Sequence, residues 1–226
     1  MSIRLHLIVE GQTEETFVNR VLTPYLSSFK IWSDARRVLT GRKKGRIFRG
    51  GMTDYSRAKR DITLWIKEDG GQDSFFTTMF DLYGLPDDFP GFSESQDLAP
   101  LEKITKIEAA LERDISHPRF IPYLQLHEFE AILFSDPQKL DWQFFEHGKA
   151  INSLIQIASQ FDSPEFIDDG AETSPSKRII SEIPQYKNLK PIVGPVTAEK
   201  IGLSRIREKC KHFDAWLSRL ERLDKP

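Results

Sequence analysis

The apolar positions of the chain fall into two periods. Residues 4–9, Arg-Leu-His-Leu-Ile-Val, are dense enough in apolar side chains for a strand buried in a sheet. Phe17, Val18, Val21, Leu22, Tyr25 and Leu26 then recur at about 3.6 residues, the stripe of an amphipathic helix. Between them Glu10-Gly11-Gln12-Thr13 reads as a turn. Thr13 is the predicted N-cap, with Glu14 and Glu15 in the first helical turn, where the helix dipole favours negative charge. Pro24 predicts a kink or the last regular turn. Strand, tight turn and helix open an α/β domain.

The alternation continues. Ile31-Trp32 to Val38-Leu39 suits a second strand, and Tyr55, Ala58, Ile62, Trp65 and Ile66 trace a helix ending near Gly70-Gly71. Phe75 to Phe80 is aromatic and β-favouring and runs directly into Asp81-Leu82-Tyr83-Gly84-Leu85-Pro86. Leu101, Ile104, Ile107, Leu111 and Ile115 mark a helix behind Pro100. Phe120 to Leu126 is a further predicted strand, which Pro122 places at an edge or at a strand start. His127-Glu128-Phe129-Glu130 closes it. Strands alternating with helices predict an α/β fold with a mostly parallel sheet flanked by helices. After about residue 137 the texture turns helical. Pro164, Pro175, Pro184, Pro191 and Pro195 argue against one long helix there, and Ser204 is the predicted N-cap of a closing stripe from Ile206 to Leu220. The expected organisation is an α/β core over residues 1–137 and a helical extension over 138–226 packed on it.

Composition narrows the class. With 39% hydrophobic and 29% charged residues in 226, the chain can bury a core. A single cysteine, Cys210, allows neither an internal disulfide nor a thiolate zinc cluster and fits a reducing compartment. Cys210 lies on the apolar stripe of the last helix and is most simply a small core residue, although that stripe could also pack across a homodimer. No apolar run is long enough to span a bilayer, and Met1-Ser2-Ile3-Arg4 leads straight into a strand, so the expectation is a cytoplasmic protein with no membrane role.

The net charge of −2 hides a strong local imbalance. Residues 36–60 hold ten cations against one acid, Asp54, a net +9 that leaves −11 on the rest. The bland reading is a solvated face. The functional one is contact with a polyanion through Arg42, Lys43, Lys44 and Arg46, which lie in a stretch with little apolar content between core elements.

Chemistry in parallel sheets collects beyond the carboxyl ends of the strands. Three groups of acids fall there: Glu10 with Glu14, Asp81, and Glu128 with Glu130. Taken singly, Glu14 could serve only the helix dipole, Asp81 a turn, Glu128 and Glu130 the opening of a helix, and His127 a structural hydrogen bond. Taken together they suit a hard divalent cation, which wants oxygen ligands and can activate water beside a phosphodiester. A P-loop, a Gly-x-Ser-x-Gly elbow, a dinucleotide-binding glycine pattern and a zinc-protease His-Glu-x-x-His motif are all missing from the sequence.

Val9-Glu10-Gly11-Gln12-Thr13-Glu14 after a strand, with Asp81 after a second core strand, resembles the Toprim fold of topoisomerases, primases and the overcoming-lysogenization-defect (OLD) nucleases. The fuller set is similar to a bacterial Toprim-like family of unknown function. It comprises Val9-Glu10-Gly11 with Thr13-Glu14-Glu15, Phe80 to Pro86, His127 to Ala131, Pro175-Ser176-Lys177-Arg178 and Tyr186-Lys187. The resemblance implies a Toprim-like sheet and a Mg²⁺ or Mn²⁺ site on Glu10 and Asp81. Glu14 matches a second acid of the OLD-like members, and Lys187, with Lys177 in reserve, would be the lysine near the scissile phosphate. Lys177 and Arg178 join the basic window as candidate nucleic-acid contacts. It also implies a nuclease acting on DNA or RNA beside an ABC-type ATPase partner in anti-phage defence. The family's Asp-x-Asp is only half present, since Tyr83 stands where the second acid belongs; Glu128 or Glu130 would have to supply the missing ligand. Two rival expectations follow, a catalytically silent Toprim-shaped regulatory or nucleic-acid-binding subunit of an ATPase complex, and a phosphotransferase or nucleotide hydrolase acting on a small substrate.

Overall fold

The computed structural model describes residues 2–38, 52, 54–167, 170 and 173–224. β1 (Ile3–Val9) is followed by α1 (Gln12–Phe17), a wide π-type segment over Val18–Leu22, and α2 (Thr23–Ser27). Pro24 sits at the start of α2, just beyond the wide turn. A proline ring crowds the carbonyl four residues earlier, and widening the preceding turn relieves that crowding. β2 (Ile31–Arg37), α3 (Tyr55–Glu68), β3 (Ser74–Asp81) and α4 (Pro100–Ile115) follow in the expected order, and then β4 (Phe120–Ile121) and β5 (Leu124–Gln125).

All strand pairs are parallel, in the order β2-β1-β3-β4, with β5 also on β3. Side chains alternate across β1. Leu5, Leu7 and Val9 enter one apolar cluster with Phe17, Leu22 and Leu26, while Ile8 enters a second with Ala58 and Ile62 of α3 and Ile104, Ile107 and Leu111 of α4. The helix after β1 therefore packs on one face of the sheet and the helix after β3 on the other. β1 and β3 are neighbours, so their carboxyl ends flank the crevice where the winding reverses.

The expected strand over 120–126 is broken into β4 and β5 by Pro122, which has no N–H for the ladder. Thr78 of β3 bridges the gap from its side chain. Its Oγ1 accepts from the Tyr123 N–H and donates to the Tyr123 carbonyl, both at 2.9 Å and both buried. The sheet thereby continues past the proline to the end of β5.

The rest of the chain is helical: α5 (Gly148–Ala158), α6 (Pro175–Glu182), α7 (Tyr186–Ile201), α8 (Leu203–Lys209) and α9 (Lys211–Leu220). The prolines do divide this stretch, although Pro191 and Pro195 lie inside α7, where burial of Val193, Gly194, Thr197 and Ala198 offsets the two lost backbone donors. One expectation is corrected. Ser204 lies within α8, whose N-cap is Gly202, and the final stripe is divided at Cys210. Cys210 is fully buried, its thiol raised by burial, in keeping with a packing role. Residues of α5 to α9 share the apolar cluster of β1 and α1. No helix among the described residues is long and apolar enough to cross a membrane.

Thr78→Val, which keeps the shape but leaves both Tyr123 backbone groups unpaired, is expected to cost about 2–4 kcal/mol. Thr78→Ser should retain most of the stability in urea unfolding, and equal losses in the two variants would contradict the bridging role.

Candidate functional site

Each acid singled out in the sequence reaches the carboxyl rim of the sheet by a different local device. Glu10 follows the last residue of β1, and its Oε2 accepts the Asp81 backbone N–H at 3.2 Å. The turn after it is capped by Gly11 rather than Thr13. Gly11 is extended, and its N–H donates to Glu14 Oε2 at 2.9 Å, so Glu14 folds back over the start of α1 instead of facing solvent along the dipole. Asp81 ends β3. The 3₁₀ turn Leu82–Gly84 that follows lies so close to Glu10 that a Cβ on Gly84 would sit 2.9 Å from its Oε1 and would push the carboxylate aside.

Glu128 and Glu130 arrive from β5. Asp81 pairs with Gln125, and the chain then passes through His127, whose φ of 63° lies in the left-handed region. This bend directs the His127 carbonyl at the Tyr83 N–H, 2.9 Å away, and ties the two acid-bearing loops together. His127 is buried and serves the site through its backbone. Phe129–Ser135 continues as a wholly buried 3₁₀ run, not the α-helix that exposed acids would open.

The C-terminal helices close the rim. The N–H of Ser176 at the start of α6 donates to Glu128 Oε1. Tyr186 donates its hydroxyl to Glu130 Oε1 at 3.2 Å, and Lys190 Nζ lies 3.2 Å from the same oxygen. Tyr186, Lys190 and Gly194 share one face of α7 at four-residue spacing. At Gly194 a Cβ would come 3.1 Å from the Tyr186 hydroxyl and 3.2 Å from the Phe129 ring, so glycine lets α7 approach the acids.

Five carboxylates therefore converge. Burial raises Asp81 well above the ordinary aspartate range, and charge on Glu14, Glu10, Glu128 and Glu130 raises it further. Glu14 is pushed up to about 8 by burial first and then by Glu10 and Glu130, against the pull of backbone N–H groups. Glu128 is raised by burial and by Glu130, and eased by Ser176 and Lys190. One atom stands apart, for Asp81 Oδ1 is buried without a hydrogen-bond partner. A buried carboxylate oxygen left bare among four other acids is short of a proton or a cation.

These donors are all hard oxygens, and a soft or thiolate-seeking metal is a poor match. Among the described residues no group of three or more His, Cys, Asp or Glu side chains is already disposed as a metal-binding cluster. The other carboxylates turn to backbone N–H groups, Tyr186 and Lys190, and Asp81 Oδ1 has no such donor among the described residues.

The cations predicted from the sequence fare differently. Lys187 is exposed on α7, one residue along from the buried Tyr186, and Lys190 is the lysine that meets the acids. Lys187 is assigned by the resemblance alone, whereas the face of α7 that carries Lys190 is hidden in the sequence by Pro191 and Pro195. Lys177 is exposed, whereas Arg178 donates to the Thr173 carbonyl at 2.6 Å and lies over the Phe161 ring. Arg42, Lys43, Lys44 and Arg46 lie outside the described residues. The segment that carries them starts at this rim, since the Val38 N–H donates to the Val9 carbonyl at 3.0 Å, one residue before Glu10.

In metal-free protein, each acid whose folded pKa exceeds its unfolded value lends stability that is complete below about pH 4.5 and fades as the pH rises through the folded value, about 8 for Glu14. The melting temperature should therefore fall between pH 5 and 9. Asp81→Asn is expected to flatten that fall, as is millimolar Mg²⁺ added to the parent protein. Identical slopes for parent and variant would show that the acids do not share a field.

Comparison with known proteins adds one relationship. Residues 9–221 match a family described as a domain of unknown function, DUF4276. No curated protein and no solved structure matches the chain.

Proposed function

The chain belongs to the DUF4276 family, and from the site it carries we propose a metal-dependent phosphodiesterase of Toprim type, acting on DNA or RNA. The observation that carries this reading is the bare, buried Oδ1 of Asp81 among four further carboxylates at the switch point of a parallel sheet. Glu10 and Asp81, with Glu128 or Glu130, would hold Mg²⁺ or Mn²⁺. Such an ion, when bound, lowers the pKa of water and offsets the charge of a phosphodiester.

The chain's own groups supply the remainder. Glu14 sits beside Glu10 and retains a proton near neutrality, so it can give or take one at Oε1 while Oε2 stays on the Gly11 N–H. Lys190 is the one lysine ion-paired with the cluster among the described residues. It can turn from Glu130 to a phosphoryl oxygen as negative charge grows there. Tyr186 keeps Glu130 in place from a fully buried position. Arg42, Lys43, Lys44 and Arg46, within the basic window over residues 36–60, would supply long-range attraction for a polyanion.

The same reading places the protein as an effector beside an ABC-type ATPase in anti-phage defence, in line with the Toprim resemblance. A second reading, a silent regulatory subunit, draws on Tyr83 standing where a second aspartate would complete the pair.

Cleavage of plasmid, oligonucleotide and tRNA substrates with Mg²⁺ or Mn²⁺ tests the proposal. Glu10→Ala and Asp81→Ala are each expected to lower the rate by roughly a hundred-fold or more, Lys190→Ala by roughly ten-fold or more, and Lys187→Ala by little. Cleavage indifferent to Glu10 and Asp81 would remove the rim from catalysis. A parent protein that cleaves nothing yet binds an ATPase tightly would favour the silent subunit.

A further inference from the structure

Tyr83 is the exposed large aromatic on the turn that follows Asp81. Its backbone is fixed: the N–H is bonded to the His127 carbonyl, Leu82 before it and Leu85 after it are buried, and Gly84 is pressed on Glu10. Asp81 lies two residues before it, and Glu128 follows the residue that accepts its N–H. The side chain on this pinned backbone is nevertheless 56% exposed, and its ring contacts no other ring among the described residues. The ring stands on the turn that follows Asp81, outside the core, and no hydrogen bond partners its hydroxyl among the described residues. It does present a flat apolar face at a fixed position beside the candidate reaction centre.

We infer that Tyr83 is a stacking platform for a nucleobase and that it directs the site to unpaired strands. This rests on the phosphodiesterase reading above and narrows its substrate class. In a duplex each base face is already covered by its neighbours, so an aromatic ring can stack only on a base that is splayed out or single-stranded. Stacking is tolerant of base identity, because every base has a π face, so Tyr83 selects strandedness rather than sequence. The position suits such a role sterically. The platform stands on the same short turn as Asp81, so a base seated on it brings the adjoining phosphate to the acids without a mobile arm between them.

The test separates this inference from the reading beneath it. A fluorescein-labelled twelve-nucleotide single strand and the same strand in duplex are titrated with the full chain in Ca²⁺, alongside Tyr83→Ala, Tyr83→Phe and Tyr83→Trp. Circular dichroism and melting temperature confirm that each variant is folded. The expected result is preference for the single strand, weakened about ten-fold or more by Tyr83→Ala and retained by the Phe and Trp variants, with duplex affinity the same in all four proteins. Single-strand affinity in Tyr83→Ala within two-fold of the parent overturns the stacking role and leaves the phosphodiesterase reading standing. Equal loss on single strand and duplex also overturns it, since that marks a general disturbance of the rim. A parent protein that binds neither probe overturns the stacking role, and cleavage of plasmid and tRNA then decides the phosphodiesterase reading separately.

Discussion

Five carboxylates pressed into one half-buried rim set the terms for the rest of this molecule. Like charges at close range in a poorly solvated place cannot all ionise, so the fold must supply protons, hydrogen-bond donors or cations to hold them there. The structure shows how this is met: the N–H groups of Gly11, Asp81 and Ser176 each serve one carboxylate, and Tyr186 and Lys190 serve Glu130. Even so, Asp81 Oδ1 remains unserved. The proposed cation would relieve that remaining charge.

The same constraint accounts for several local oddities. Gly84 and Gly194 remove the side chains that would keep a loop and a helix away from the acids. His127 bends the chain in the left-handed region so that Glu128 and Glu130 turn inward after β5. Thr78 carries the sheet across Pro122 and so fixes where that bend occurs. Each of these departs from the plainest local geometry, and each lies within a few residues of the rim.

Much of the fold was legible because its elements are strongly periodic. β1, α1, α3, β3 and α4 lie where apolar spacing put them, and the strand-end acids could be grouped because parallel topology gathers such ends. The rest was hidden for identifiable reasons. Proline ordinarily ends a helix, so α7 with Pro191 and Pro195 was unreadable, and with it the face carrying Tyr186, Lys190 and Gly194. Thr13 has the propensity of an N-cap, but propensity does not anticipate that Glu14 turns back to the Gly11 N–H. The inward turn of Glu128 and Glu130 depends on one left-handed residue, which leaves no periodic trace. Ser176, Tyr186 and Lys190 come from beyond residue 137, so the rim is furnished by both halves of the chain.

The central claim is that the acids form one cation site centred on Asp81. Crystals soaked in Mn²⁺ and measured at the manganese absorption edge test it most directly. The expected result is an anomalous peak within coordination distance, about 2.0–2.6 Å, of Asp81 Oδ1 and shared with Glu10 or with the 128/130 pair. Well-ordered crystals with strong manganese signal elsewhere and none at Asp81 would contradict the account.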